Sequence, residues 1–439
     1  MTSSVVILSY RPGDWLAEAV QSVVDQADEV VVVDNGSEAA QASRIARRGG
    51  ARVVRSERNL GFAGGVNLGV ASTTGDLIAL LNDDAVAGPD WLERAGEVLT
   101  DPAVAAVGPK IRLATPYREV LLPDHHEAPA DHRSLGRQLR SVTVEGAEVA
   151  DQLLGGVYPF EESGTDRWRW TTAGRPWYVP LAAPGASMTG SAQGGPAPRT
   201  SAPLPQTFEV LIDGEPAPWG ATCRLINSAG LYLRPDGYAG DVGLGAPDDG
   251  RFDQRQDRFG LSGTALVLRA ETWYRIGPLA STFFAYYEDI DWCWRANLAG
   301  LRLVYDPSST VDHRRSATSG GAAVVRVMAE RNRTFSMVRN GPLPQTLSAL
   351  LQRWKEGPDG GVRRAIGLGL PWASATRVST WARRSAGDLP AYQRARQLWS
   401  GGVRPAPGGP TSTTRSRGQV WRLWAGIDNR WDDSPVRPG

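Results

Sequence analysis

The chain has 439 residues, enough for two or three domains, and a formal net charge of +1, which excludes a broad electrostatic footprint for nucleic acid. No apolar run reaches the length that crosses a bilayer, and Val5 follows almost at once on the N-terminus without a basic leader, so no signal peptide is expected. Cys223 and Cys293 lack metal-site spacing, so a reducing compartment is the simpler setting, and the basic residues are nearly all arginine, with Lys110 and Lys355 the only lysines.

Val5-Val6-Ile7-Leu8-Ser9-Tyr10 reads as a buried strand that stops at Arg11-Pro12-Gly13-Asp14. Leu16, Val20, Val23 and Val24 recur at helical spacing, and Glu29-Val30-Val31-Val32-Val33 is a second strand ending at Asp34-Asn35-Gly36-Ser37. A helix over 39–48 and a short strand at Arg52–Arg55 follow. Strands alternating with helices at this interval imply βαβ units and a parallel sheet with right-handed crossovers. Arg58-Asn59-Leu60-Gly61-Phe62-Ala63-Gly64-Gly65-Val66-Asn67 is glycine-rich but matches neither the dinucleotide fingerprint nor the P-loop, which disfavours a dehydrogenase or an NTPase. A helix beginning near Ala63 would present free N–H groups to phosphate; a plain loop with helix-start glycines is the competing reading. Asp76–Leu81 is a buried strand ending in Asn82-Asp83-Asp84. Carboxylates at that end of an open α/β sheet suit a hard divalent cation and, through it, a diphosphate. The plainer alternative is a turn capping the helix near Pro89.

These four segments, in this order and spacing over the first hundred residues, resemble family 2 glycosyltransferases of the GT-A fold, in particular the rhamnosyltransferase-like subgroup. The resemblance implies a Rossmann-like, mixed, mostly parallel sheet flanked by helices. It assigns base recognition to Asp34, with Tyr10 and Arg11 nearby, and makes Asn82-Asp83-Asp84 the counterpart of the DXD motif. Asp84 is then the expected metal ligand. Ser9, Asn59, Gly61, Phe62, Gly64, Asn67, Asn82 and Asp83 complete the nucleotide-sugar side. Asn82 stands where many relatives carry Asp, so the second contact is left open between Asn82 and Asp83.

After Lys110–Leu113 the pattern lapses. Residues 115–221 read as an inserted β-sandwich-like module, with strands at Ser141–Val144, Trp168–Thr171, Trp177–Leu181 and Phe208–Ile212 and a disordered loop at 186–205. Trp168, Trp170 and Trp177 either stack on sugars or form the module's own core. His125, His126 and His132 have no ligand spacing. Residues 222–341 return to the first domain's character. Gly263 opens a strand where small residues would let a sugar lie against backbone. Phe283–Arg295 sets aromatic residues ahead of Glu288, Asp289 and Asp291 at a helix start, where burial raises a carboxylate toward the range of a general base and the helix N-terminus pulls the other way. This segment resembles the family's ED motif, which implies Asp289 as base, with Glu288 beside it and Gly263, Tyr287, Asp291 and Trp292 toward the acceptor. His313, at the end of the strand from Leu303, falls where the family places a third metal contact. Mixed Asp/His ligation admits Mg2+ or Mn2+. Arg314, Arg315, Arg331 and Arg333 are diphosphate or acceptor candidates.

Residues 342–400 form helices whose Trp and Arg pattern fits either a core face or a membrane surface, and 401–439 is a flexible tail. The expected function is therefore a metal-dependent, inverting sugar transfer to a glycan or polyprenyl-diphosphate-linked acceptor in cell-envelope polysaccharide synthesis. The implied donor is dTDP-rhamnose, with UDP-linked sugars including galactofuranose as the alternative. The expected location is the cytoplasm, with peripheral contact on the plasma membrane's cytoplasmic face. A nucleotidyltransferase and a non-catalytic glycan-binding protein are the rivals from other classes. The former would carry a Gly-rich loop with Arg and Lys after the first strand, which Ser9–Pro12 does not.

Overall fold

The structure is a computed structural model that describes residues 1–120, 135–144, 147–158, 161–163, 166–172, 175–181, 210–212, 215–216, 222–314, 322–355 and 360–382. The expected loop at 186–205, His125, His126, His132, Arg315 and the 401–439 tail lie outside the described residues. The chain forms two compact units. One comprises Met1–Arg112, Asn227–Val242 and the described residues from Gly250 onward; the other comprises those of Leu113–Ile226 with Gly243–Asp249.

The first unit begins with β1 (Ser3–Ser9), α1 (Trp15–Val23), β2 (Glu29–Asn35), α2 (Gln41–Arg48), β3 (Arg52–Ser56), α3 (Gly61–Val70) and β4 (Leu77–Asn82). It continues through β5 (Ala85–Ala87), α4 (Trp91–Val98) and β6 (Val104–Leu113). Beyond the second unit come β7 (Ala265–Arg269), α5 (Ala270–Ile276), α6 (Glu288–Leu298), β8 (Arg302–His313) and three helices, α7 (Ala322–Asn340), α8 (Leu343–Lys355) and α9 (Gly360–Ala382). The main sheet runs β8-β6-β7-β4-β1-β2-β3, with Gln256–Asp257 on the outer edge of β8 and β5 paired to β8 off this path. Pairings of β1 with β2 and β4, and of β2 with β3, are parallel. Those of β7 with β4 and β6, and of β8 with β5, are antiparallel. The parallel character expected from the sequence thus holds for the first half, and the second half reverses.

Continuous apolar runs in β1, β2 and β4 follow from burial on both faces, as parallel strands under helices require. The helices supply the cover: Leu16, Val20 and Val23 of α1 and Trp91 of α4 join Ile7, Val32 and Leu81 in one core. α3 packs closely because its glycines face the sheet. A methyl group at Gly65 would overlap Leu8, and one at Gly69 would overlap Val6 and Val33. Spaced four apart, Gly65 and Gly69 serve helix–sheet packing.

In the second unit, small antiparallel sheets surround a core of Val120, Leu139, Val142, Val144, Val149, Leu153, Trp177 and Val179. Trp177 is fully buried there, so its part is core packing and not sugar stacking. Trp168 and Trp170 are half-buried. Gly243–Asp249 belongs to this unit through backbone bonds, among them Ile226 N–H to Ala246 O (2.8 Å) and Asp248 N–H to Arg224 O (2.9 Å). Both cysteines are free thiols.

Candidate active site

The acidic end of β4 is fixed by two strand registers. Leu81 pairs with Ala265, and one residue on, Asn82 N–H donates to Thr264 O at 2.9 Å. On the other side Ala85 pairs with His313, and Arg314 N–H donates to Asp84 O at 2.9 Å. The second register carries His313 to Asp84: Nε2 lies 3.1 Å from Asp84 Oδ1, and both side chains are buried. His313 Nδ1 is 2.8 Å from Asn227 Oδ1. With Nδ1–H donated to that amide oxygen, Nε2 turns a lone pair toward Asp84 Oδ1, a buried oxygen with no hydrogen-bond partner. Two acceptors facing each other are a place for a proton or a cation. An oxygen and a nitrogen donor suit Mg2+ or Mn2+ with the remaining positions taken by phosphate and water. Among the described residues no group of three or more His, Cys, Asp or Glu assembles as a metal site.

Arg314 is the next residue along the chain after His313. Its Nη2 donates to Glu18 Oε2 at 2.7 Å, while Nη1 is buried with no partner. Asp83 points elsewhere: Ser9 Oγ–H donates to its Oδ2 at 2.6 Å, and burial together with the charge of Asp84 lifts its carboxyl to about 7. Ser9 and Asp83 are both buried, and their hydrogen bond ties the ends of β1 and β4 together. Asn82 remains half-buried beside them.

Asp34 is a larger correction. It is 0 % exposed and its oxygens accept Ser37 N–H (2.9 Å), Ser43 N–H (3.2 Å), the Ser43 hydroxyl and Arg55 Nη1 (2.7 Å). Burial alone would raise its pKa; these donors overcome it and hold the carboxylate below its usual range. It therefore ties β2 to α2 and β3. The neighbouring Asn35, which sequence reasoning passed over, holds the glycine-rich segment: its Nδ2 donates to Asn59 Oδ1 (3.1 Å) and Gly61 O (3.2 Å), and its Oδ1 accepts Leu60 N–H (2.9 Å). Asn59 also caps Gly61 N–H at 2.8 Å. Asn67 binds Leu279 on both sides, through N–H to its Oδ1 and from its Nδ2 to the carbonyl, at 3.0 and 2.8 Å. Gly64 is half-buried, close to Leu60. Ala63 N–H, expected free for phosphate, is taken by Phe284 O at 3.1 Å. Tyr10 and Arg11 are exposed at the end of β1, with the guanidinium 5.3 Å from the ring centroid.

The acid pair stands at the start of α6. Asp289 Oδ2 accepts Gly263 N–H (3.2 Å) and Oδ1 accepts Ile290 N–H (2.7 Å). Gly263 and Thr264 therefore join the two foci, since one bonds Asp289 and the other bonds Asn82. Phe62, Leu80, Gly263, Asp289 and Trp292 line one small cavity. Glu288 is buried with Oε2 unpartnered, and desolvation plus the charge of Asp289 raises it well above the carboxylate range. Desolvation raises Asp289 too, against two N–H donors that favour its charge. Both carboxyls are thus raised, and the two titrate as a pair above the ordinary carboxylate range.

Three expected acceptor residues face inward. Asp291 is 0 % exposed and accepts Arg295 Nε (3.0 Å), Arg339 Nε (2.7 Å) and Asn340 Nδ2 (2.8 Å). Trp292 donates Nε1–H to Gly277 O (3.1 Å), and the Tyr287 hydroxyl accepts Ala239 N–H (3.1 Å). Arg333 is buried against Glu330 and the Tyr238 ring, 4.2 Å from its centroid, and Arg331 binds the carbonyls of Thr282 and Phe283. Arg333 is thereby closed to a diphosphate, while Arg331 is half-buried.

Residues 4–141, about a third of the chain, match the family model described as glycosyl transferase family 2. This segment runs from β1 through the strand-end acids and into the second unit. An uncharacterized glycosyltransferase of Haemophilus influenzae is 25% identical over 100 residues, covering 21% of this chain and 30% of its own. Polypeptide N-acetylgalactosaminyltransferase 15 of Mus musculus is 28% identical over 123 residues, covering 25% of this chain and 19% of its own. The chain thus spans less than a third of the length of these curated relatives. Among solved structures, GalNAc-T7 with UDP, GalNAc and Mn2+ has a TM-score of 0.43 at 15% identity, over 77% of this chain and 48% of that one. A mannosyltransferase from Pyrobaculum calidifontis in complex with GDP-Man and Mn2+ has a TM-score of 0.39 at 15% identity, over 98% and 88%.

Proposed function

We propose that the protein is a metal-dependent glycosyltransferase that moves a sugar from a nucleotide donor to an acceptor hydroxyl. The observation that carries this reading is the buried Asp84 Oδ1 facing His313 Nε2 at 3.1 Å, one strand away from the Asp289 that Gly263 holds. Asp84 and His313 hold Mg2+ or Mn2+, which when bound offsets charge developing on the diphosphate leaving group. Arg314 Nη1 adds a hydrogen bond to a phosphate oxygen. Tyr10 and Arg11, just past the C-terminal end of β1, flank the nucleotide, and half-buried Asn82 faces the sugar. Asp289 accepts the proton of the attacking hydroxyl, and the inverting outcome follows if that hydroxyl approaches opposite the leaving diphosphate.

The donor we infer is dTDP-rhamnose, from the subgroup resemblance, with a UDP-linked sugar as the second reading. The acceptor is a glycan or lipid-linked glycan of the cell envelope. No helix among the described residues is long and apolar enough to cross a membrane. Exposed Leu343, Leu347 and Leu351, spaced four apart on α8, support peripheral contact with the plasma membrane's cytoplasmic face. The non-catalytic glycan-binding alternative is weakened by the burial of Trp177.

Sugar transfer by wild type and Asp289→Asn tests the reading. The expected loss is about 10²- to 10⁴-fold in kcat, with nucleotide binding retained. Full transfer by the variant refutes Asp289 as base.

A further inference from the structure

The five residues ahead of the acid pair adopt an uncommon backbone. Phe284 has φ 67 and ψ −66, and Ala285 N–H bonds Phe283 O at 2.8 Å, which makes a γ-turn of the strained, positive-φ kind. Tyr286 and Tyr287 follow at φ 70 each, so three bulky residues occupy a region where side chains crowd the backbone. Such a segment persists only when its surroundings over-determine it. Here the constraint comes from α7. Asn332 is fully buried, and its Nδ2 lies 2.9, 2.8 and 2.7 Å from the carbonyls of Phe283, Ala285 and Tyr286. Two amide hydrogens thus serve three carbonyls that the turn directs at one point. Arg331 braces the amide by donating Nε–H to Asn332 Oδ1 at 2.9 Å.

Both ends of this turn reach the site. At one end Phe284 O accepts Ala63 N–H in the first turn of α3, and its ring occupies the space a side chain at Gly61 would need. At the other end Tyr287 is the residue before α6, and its carbonyl accepts Asp291 N–H at 2.9 Å, the first turn of the helix that carries Glu288 and Asp289. One buried amide therefore sets the relation between the glycine-rich segment and the acid pair.

We infer that Asn332 is a positioning residue: it holds the aromatic turn 283–287 in its positive-φ form and thereby aims Asp289 at Gly263 and seats Phe284 on α3. Its catalytic consequence rests on the function proposed above; its structural consequence does not.

The test uses the full chain with Asn332→Ala, Arg331→Ala, Tyr286→Gly and the double variant Asn332→Ala/Tyr286→Gly. Arg331→Ala removes contacts with Thr282 and Phe283 without opening the core, and serves if Asn332→Ala does not fold. Two measurements are made, steady-state transfer and amide hydrogen exchange. Asn332→Ala is expected to lower kcat at least about tenfold, as misplacement near the chemistry does, with KM for the nucleotide donor changed less. Arg331→Ala shifts kcat the same way by a smaller factor. Glycine adopts positive φ without crowding, so Tyr286→Gly restores part of the lost kcat. Exchange accelerates at the Ala63 and Asp291 amides while those of β1 and β4 stay protected. Three results overturn the inference: kcat within about twofold of wild type with unchanged exchange at Ala63, no recovery with Tyr286→Gly, or uniform acceleration across the sheet. A wild-type protein that transfers no sugar overturns the proposed function instead, and the exchange pattern alone then decides the role of Asn332.

Discussion

Replacing Asp291 by asparagine removes a carboxylate that two buried guanidiniums bind, while keeping its shape. Arg295 and Arg339 are 8 and 6 % exposed, and both donate to it, with Asn340 as a further donor. An uncompensated buried charge costs about 3–5 kcal/mol, a large share of a typical stability of about 5–15 kcal/mol. Through the usual entropy of unfolding this corresponds to a melting-temperature fall of roughly 5–15 °C, read by calorimetry or circular dichroism. The pH dependence follows the same charge. Burial alone would raise Asp291, but Arg339 and Arg295 overcome it and hold the folded pKa below its usual value. The stabilisation is therefore complete above the unfolded pKa, near ~3.9, and disappears as pH falls through the depressed folded value. Asp291→Asn abolishes that contribution to acid lability. A direct acceptor contact, the role expected from sequence, makes the opposite forecast: a raised acceptor KM with an unchanged melting temperature. That result would refute the buried-network reading.

Other outcomes follow from single features of the structure. Gly65→Ala places a methyl group on Leu8 and should destabilise by about 1–3 kcal/mol of overpacking, measured by urea unfolding. Cys293 is buried and its thiol is pushed up to about 12, so a thiol reagent near neutral pH should label it only after denaturation. Transfer should rise with pH along a limb whose apparent pKa lies above the ordinary carboxylate range, because burial raises Glu288 and Asp289 together. Arg314→Ala should weaken nucleoside diphosphate binding by roughly tenfold, the loss of one charge-assisted hydrogen bond, read by titration calorimetry.

Much of the first unit was legible because its signals are local. Apolar runs at Val5–Leu8, Val30–Val33 and Leu77–Leu81 can only be buried strands between helices, and each lies in the main sheet. That the sheet is mixed came with the family resemblance; which pairings reverse was not legible in the residues, since antiparallel pairing of β7 with β4 depends on where the chain re-enters after the second unit. Residue types at the site were legible as acids at strand and helix ends. Their individual duties were not, because a carboxylate reads alike whether it faces solvent or an arginine far along the chain. Asp291 and Arg339 are 48 positions apart, and nothing in either segment announces the other. Asn227 and Asn332 escaped notice for the same reason, since an asparagine's role lies wholly in what its amide reaches.

Asp84 and His313 are proposed to bind a divalent cation that in turn binds a nucleotide sugar. Thermal stabilisation by a panel of dTDP-, UDP- and GDP-sugars, with Mn2+ and with a chelator, tests it without knowledge of the acceptor. Wild type should be stabilised by at least one nucleotide sugar only when Mn2+ is present, by about 2.7 kcal/mol at a hundredfold excess over Kd, and Asp84→Ala should lose this response. Stabilisation that survives the chelator or the Asp84→Ala change, or none with any member of the panel, would contradict it.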